Sequence, residues 1–97
     1  MLILVAYDVN VTNIGGQKRL RNIAKICLDH GMRVQNSLFE CEVDPAQWVI
    51  FKNKLFEIYD PEYDSLRFYF LGKKGYQKVE HFGAKPVCDV VRDPLII

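Results

Sequence analysis

Asp8 is the first charged side chain of this 97-residue sequence, and it closes the apolar run Leu2-Ile3-Leu4-Val5-Ala6-Tyr7. A short run of Leu, Ile and Val reads as a buried strand. The strand therefore delivers a carboxylate at its C-terminal end, before a loop and a basic segment. A carboxylate there costs desolvation unless it is paired, hydrated or bound to a cation. Hard divalent ions such as Mg²⁺ take one or two carboxylates and leave the rest of their shell to water and phosphate. The plainer reading of Asp8 is a turn or capping residue, a common post for Asp. His30 suits a charge partner at a helix C-terminus, and His81 sits among strand residues. No Ser/His/Asp or Cys/His arrangement for nucleophilic catalysis is legible.

The charges are segregated along the chain. Lys18, Arg19, Arg21, Lys25 and Arg33 form a basic stretch, acids dominate from Glu40 to Asp64, and basic residues return from Arg67 to Lys85. A basic cluster on one element is a footprint for polyanions, although a solvated helix face looks similar. The net charge of +1 leaves no overall bias towards nucleic acid. Cys27, Cys41 and Cys88 are odd in number and form no CxxC pair, so they read as reduced thiols. No apolar run approaches the roughly 20 residues that span a bilayer. The N-terminal run is too short for a signal peptide. Together these predict a cytoplasmic protein with no membrane partner. Charged residues at 26% and hydrophobic residues at 49% predict a folded globular chain, a single domain over 1–97.

Periodicity supplies the elements that would hold these groups. A strand covers about residues 1–9, and a helix about 17–30, with Leu20, Ile23, Ala24, Cys27 and Leu28 on one buried stripe. Lys18, Arg21 and Lys25 fall on the opposite side, and Arg19 lies off the most polar side. Residues 33–43 form either one long strand or two strands split by a turn at Gln35-Asn36-Ser37. Asp44-Pro45-Ala46-Gln47 starts a second helix with a capping box, which buries Trp48, Phe51, Leu55 and Ile58. Residues 65–71 are an aromatic strand, and 78–82 a short edge strand. The order suits an α+β sandwich of the βαββαβ type, two helices on one face of an antiparallel sheet. The other face carries Tyr69 and Leu71, and the chain ends in Leu95-Ile96-Ile97. Such an apolar face predicts a homodimer, with residues 78–97 joining the two copies. The aromatics Phe68, Tyr69 and Phe70 fit packing better than base stacking.

Four segments resemble the CRISPR-associated protein two family in order. They are Val5-Ala6-Tyr7-Asp8-Val9, Lys18-Arg19-Leu20-Arg21 with Ala24-Lys25, Arg33-Val34-Gln35-Asn36-Ser37-Leu38-Phe39-Glu40-Cys41, and Asp64-Ser65-Leu66-Arg67-Phe68-Tyr69. Gly83-Ala84-Lys85-Pro86 and Asp93-Pro94-Leu95-Ile96 resemble members from the I-C type of system. The resemblance implies a ferredoxin-like fold with an extra C-terminal strand and a tight homodimer. It also implies that Asp8 of each copy faces its mate across the two-fold axis, with one Mg²⁺ or Mn²⁺ between them. Tyr7, Arg19, Arg21, Arg33 and Phe39 are then implied in activity with Asp8. Lys18, Arg19, Arg21 and Lys25 are the expected nucleic-acid contacts. The implied function is metal-dependent cleavage of double-stranded DNA or single-stranded RNA in CRISPR adaptation. The alternative is a non-catalytic dimeric bridge that holds duplex DNA for the CRISPR integrase subunits. A third reading, a small-molecule regulatory domain of ferredoxin-like shape, would have no affinity for nucleic acid.

Overall fold

The computed structural model describes residues 1–72 and 75–84, residues 75–77 by backbone alone. The elements are β1 (Leu2–Asp8), α1 (Gly16–His30), β2 (Gly31–Gln35), β3 (Leu38–Glu42), α2 (Pro45–Ile58), β4 (Ser65–Gly72) and β5 (Gly75–Gly83). They build one five-stranded sheet in the order β2-β3-β1-β4-β5. Every neighbouring pair is antiparallel. Each helix joins two strands that lie one strand apart: α1 leads from β1 over β3 to β2, and α2 leads from β3 over β1 to β4. This is the βαββαβ arrangement with a further strand at the β4 edge, as the α+β reading expects.

The strand that carries Asp8 is central, and its alternation is clean. Ile3, Val5 and Tyr7 are buried in the core with Ile23 and Cys27 of α1 and with Trp48, Phe51 and Leu55 of α2. Trp48 packs perpendicular to Phe68, Phe70 and Phe51 at centroid distances of 4.8, 5.5 and 5.6 Å, a favoured aromatic geometry. Asp44 caps α2: its Oδ1 accepts from the Gln47 amide at 2.7 Å, and the Gln47 side chain accepts from the Asp44 amide at 2.9 Å. One member of the expected α1 stripe is misplaced. Leu28 is 54% exposed, while Ile26 packs against the core. At 3.6 residues per turn, Leu28 lies about 140° around the helix from buried Ile23, and Ile26 only about 60°.

The stretch 33–43 resolves as two strands with a turn at Asn36 and Ser37. β2 begins directly where α1 ends. Gly31 makes that possible through space, since a side chain there would collide with the Glu40 carbonyl and the Cys41 sulfur. β5 is longer than the edge strand expected from the sequence, because it pairs with β4 along its whole length. The turn between the two strands and the C-terminal tail, with its expected part in dimerisation, lie outside the described residues.

Alternation puts Leu2, Leu4, Ala6 and Asp8 on the sheet face away from the helices. Register adds Leu38, Glu40, Arg67, Tyr69 and Leu71 to that face, with Met32 at its edge.

Candidate functional site

Asp8 is the last residue of β1, exposed, and opposite Ser65 at the start of β4. Among the described residues no three His, Cys, Asp or Glu side chains converge as a metal cluster. Asp8 is the carboxylate that β1 presents at its C-terminal end.

The side chains expected to act with Asp8 lie on the opposite face of the sheet from it. Tyr7 and Phe39 point to the helix side, where they are 6% and 0% exposed, and their rings stack at 6.0 Å. The Tyr7 hydroxyl donates to the Asn36 carbonyl at 3.4 Å. Burial, reinforced by the Cys27 thiol and only partly opposed by Arg33, raises the Tyr7 pKa. The phenol therefore stays protonated at neutral pH. The Arg33 guanidinium lies 5.0 Å from the Phe39 ring centroid and donates to the Asn36 carbonyl at 3.0 Å. These three side chains brace the β2–β3 turn against β1. None of these contacts reaches Asp8, and only Arg33 is exposed to solvent.

The helix-borne cations also separate. Lys18, Arg21 and Lys25 are exposed and recur at spacings of three and four, a single outward stripe on α1. Arg19 turns the other way. Its Nε donates to Asp64 Oδ2 at 2.7 Å and its Nη2 to Asp64 Oδ1 at 3.2 Å. It donates further to the Asn13 side chain, the Ile14 carbonyl and the Asn10 carbonyl at 2.9, 3.2 and 3.4 Å. The expectation of Arg19 as a phosphate contact meets a side chain only 15% exposed whose donors already have acceptors within the chain.

Asp64 is the residue that sequence reasoning missed. It is completely buried, immediately before Ser65, and its carboxylate also accepts from the Asn10 amide at 3.0 Å and the Asp60 amide at 2.9 Å. Burial pushes its carboxyl upward, but the Arg19 guanidinium and the two amides outweigh it, leaving the pKa below the ordinary value. The only available signal was its place in the segment beginning Asp64-Ser65. The buried thiols of Cys27 and Cys41 have raised pKa values, that of Cys41 pushed up to about 11, chiefly by burial. They are inert at neutral pH. His30 stacks on Phe51 at 4.3 Å, and its Nδ1 lies 2.9 Å from the Ile26 carbonyl. That is a joint between the helices, away from Asp8.

An exposed aspartate thus closes the central strand, and the helix that follows it carries a cationic outer stripe. Residues 1–79 match the family model described as CRISPR associated protein Cas2. The chain belongs to the Cas2 family. It is 55% identical over 96 residues to the Rhodospirillum rubrum protein named CRISPR-associated endoribonuclease Cas2 3, covering 99% of this chain and 100% of that one. It is 53% identical over 96 residues to the Halalkalibacterium halodurans protein named CRISPR-associated endonuclease Cas2, covering 99% of each. The crystal structure of Streptococcus pyogenes Cas2 at pH 6.5 superposes with a TM-score of 0.70 at 56% identity, over 75% of this chain and 88% of that one. No described helix of this Cas2 chain is long and apolar enough to cross a membrane.

Proposed function

We propose that this Cas2 protein is a metal-dependent phosphodiesterase of CRISPR adaptation, working as a homodimer in which the two Asp8 carboxylates share one Mg²⁺ or Mn²⁺. The observation that carries the reading is Asp8 itself: an exposed carboxylate at the end of the central strand. The relatives named endoribonuclease and endonuclease support nuclease chemistry. Double-stranded DNA and single-stranded RNA are both within the proposal. The I-C type of system is part of it on the strength of the C-terminal sequence alone.

A single carboxylate per copy makes a weak site, and a two-fold axis doubles it. Partly buried Leu2, Leu4, Ala6, Leu38 and Leu71 and the 74% exposed Met32 share the sheet face of Asp8. Glu40 and Arg67 also lie on this face, and its apolar part favours a second copy as its cover. The residues fit a hard cation in donor type, since carboxylate oxygen with water is its preferred shell. When bound, such an ion lowers the pKa of a water and polarises a phosphodiester. Asp8 would hold and orient it. Two carboxylates brought close repel one another, and a shared cation offsets that repulsion. Lys18, Arg21 and Lys25 would hold flanking phosphates and fix the strand's position without reading its sequence. That same stripe needs no metal to bind a duplex. It favours, as the second reading, a non-catalytic bridge that presents DNA to the CRISPR integrase.

The test is cleavage of labelled duplex DNA and single-stranded RNA in Mg²⁺, Mn²⁺ or chelator, with wild type and Asp8→Ala purified in parallel. Metal-dependent cutting that vanishes in Asp8→Ala is expected. Equal cutting by both proteins, or none by either, would overturn the catalytic reading in favour of the bridge.

A further inference from the structure

Two carboxylates lie near the end of β1, and they have opposite characters. Asp8 is exposed, whereas Asp64 is completely buried beside it in the neighbouring strand's approach. Both oxygens of Asp64 are fully used: Oδ1 accepts from the Asn10 amide and Arg19 Nη2, and Oδ2 from Arg19 Nε and the Asp60 amide. No lone pair is left over for a cation, so Asp64 is no second ligand.

What the pair holds is the loop that follows Asp8. Asn10, two residues beyond Asp8, is gripped at both ends: its amide by Asp64 and its carbonyl by Arg19. Arg19 also fastens Asn13 and Ile14, and its own amide donates to the Gly15 carbonyl at 2.9 Å. Gly15, at φ +82°, turns the chain into α1 there. On the other side Asp64 is tied to the start of β4 and to the end of β5, since its carbonyl accepts from the Ala84 amide at 3.1 Å. Three segments distant in sequence thus meet in one salt-bridged knot directly behind Asp8.

We propose that Asp64 and Arg19 are positioning residues for the Asp8 carboxylate, anchoring residues 10, 13 and 14 so that Asp8 leaves the sheet in one fixed direction. This rests on the reading of Asp8 as a cation ligand. The knot's physical value lies in direction: a buried ion pair adds little net stability compared with apolar packing. Its bidentate geometry does fix orientation, because the guanidinium fork matches a carboxylate and also reaches outward to other acceptors. Lysine would keep the charge and lose the fork.

The test uses the full-length chain with Mn²⁺ as the metal probe, titrated by the loss of free-ion paramagnetic resonance signal. Wild type is compared with Asp64→Asn, Arg19→Lys and Asn13→Ala. In parallel, nucleic-acid affinity is measured in chelator, and cleavage is resolved into kcat and KM. Arg19→Lys should weaken Mn²⁺ binding by about tenfold, the scale of lost outer-shell support. It should lower kcat at unchanged KM, with nucleic-acid affinity in chelator as in wild type. Asn13→Ala, which leaves the ion pair intact, should move in the same direction by less. Should Asp64→Asn fail to fold, these two variants decide the matter. Wild-type Mn²⁺ affinity in both would overturn the inference alone. So would weakened nucleic-acid binding in Arg19→Lys at unchanged Mn²⁺ affinity, the mark of a phosphate contact. A wild type that neither cuts nor binds Mn²⁺ would overturn the proposed function and this inference together.

Discussion

Replacing Phe39 with Ala separates a residue that contacts substrate from one that supports the fold. Phe39 is completely buried, stacked on Tyr7 and covered by the Arg33 guanidinium. Deleting a buried Phe ring costs about 3–5 kcal/mol through lost transfer energy and the cavity left behind. At roughly 0.1 kcal/mol per residue, the whole stability of a chain this size is about 10 kcal/mol. Phe39→Ala should therefore lose a third to a half of it, and activity should fall because less of the protein is folded and β3 no longer braces β1. Phe39→Leu nearly conserves volume, at a cost of less than about 1.5 kcal/mol. Removing the ring from Tyr7 and Arg33 adds about 1 kcal/mol or somewhat more. The assay is urea unfolding at fixed protein concentration, followed by fluorescence of Trp48, the sole tryptophan, which is 6% exposed. Cleavage is then measured where each variant is folded. A Phe39→Ala protein as stable as wild type yet inactive would refute the reasoning and return the ring to direct contact with substrate.

Changing Arg21 and Lys25 together to Ala should weaken duplex binding and reduce the slope of log affinity against log salt by about 0.9 for each phosphate no longer neutralised. Fluorescence anisotropy across a salt series checks this, and an unaltered slope would remove the two residues from the interface. The Asp64 carboxyl makes a pH prediction. Its folded pKa lies below its unfolded value because the Arg19 guanidinium and two amide donors outweigh burial. Its contribution is fully present above the unfolded value of about 3.9 and is lost as pH falls through the folded one. The stability gap between wild type and Asp64→Asn should thus be wide at neutral pH and close below about pH 4, as read from urea unfolding at each pH. A gap of constant size from pH 7 to pH 3 would contradict the assignment.

Most of the frame was legible because it is written in local patterns. The Asp44–Gln47 capping box, the run 2–8 and the aromatic run 65–71 each announce themselves within one element. The boundary at 35–38 was open because a polar triplet serves a turn and a bulge equally well. Register decided for a turn, with a bulge as well between Arg33 and Gln35. Leu28 deceived because a fixed stripe assumes a straight seam, whereas the buried face centres on Ile23 and Cys27. The candidate site was half legible. Asp8 stood out by following an apolar run, and strand alternation alone sets Tyr7 on the opposite face, but the face of Phe39 relative to Asp8 depended on sheet pairing. Arg19 and Asp64 are separated by 45 residues. Neither periodicity nor spacing encodes so distant a meeting, and each alone resembles an ordinary surface charge.

The central position of β1 has a consequence for the order of assembly. β2 and β3, and likewise β4 and β5, are hairpins that close locally, whereas β1 must find Leu38–Glu42 on one side and Ser65–Leu71 on the other. Long-range pairings of this kind are late and slow events in folding. The earliest of the five strands to be synthesised is thus among the last to be fully enclosed, and Asp8 acquires its surroundings only after Asp64 has emerged. A chain released early from the ribosome would carry the carboxylate without the frame that aims it. The end of β1 thus acquires its frame only once translation has passed the start of β4.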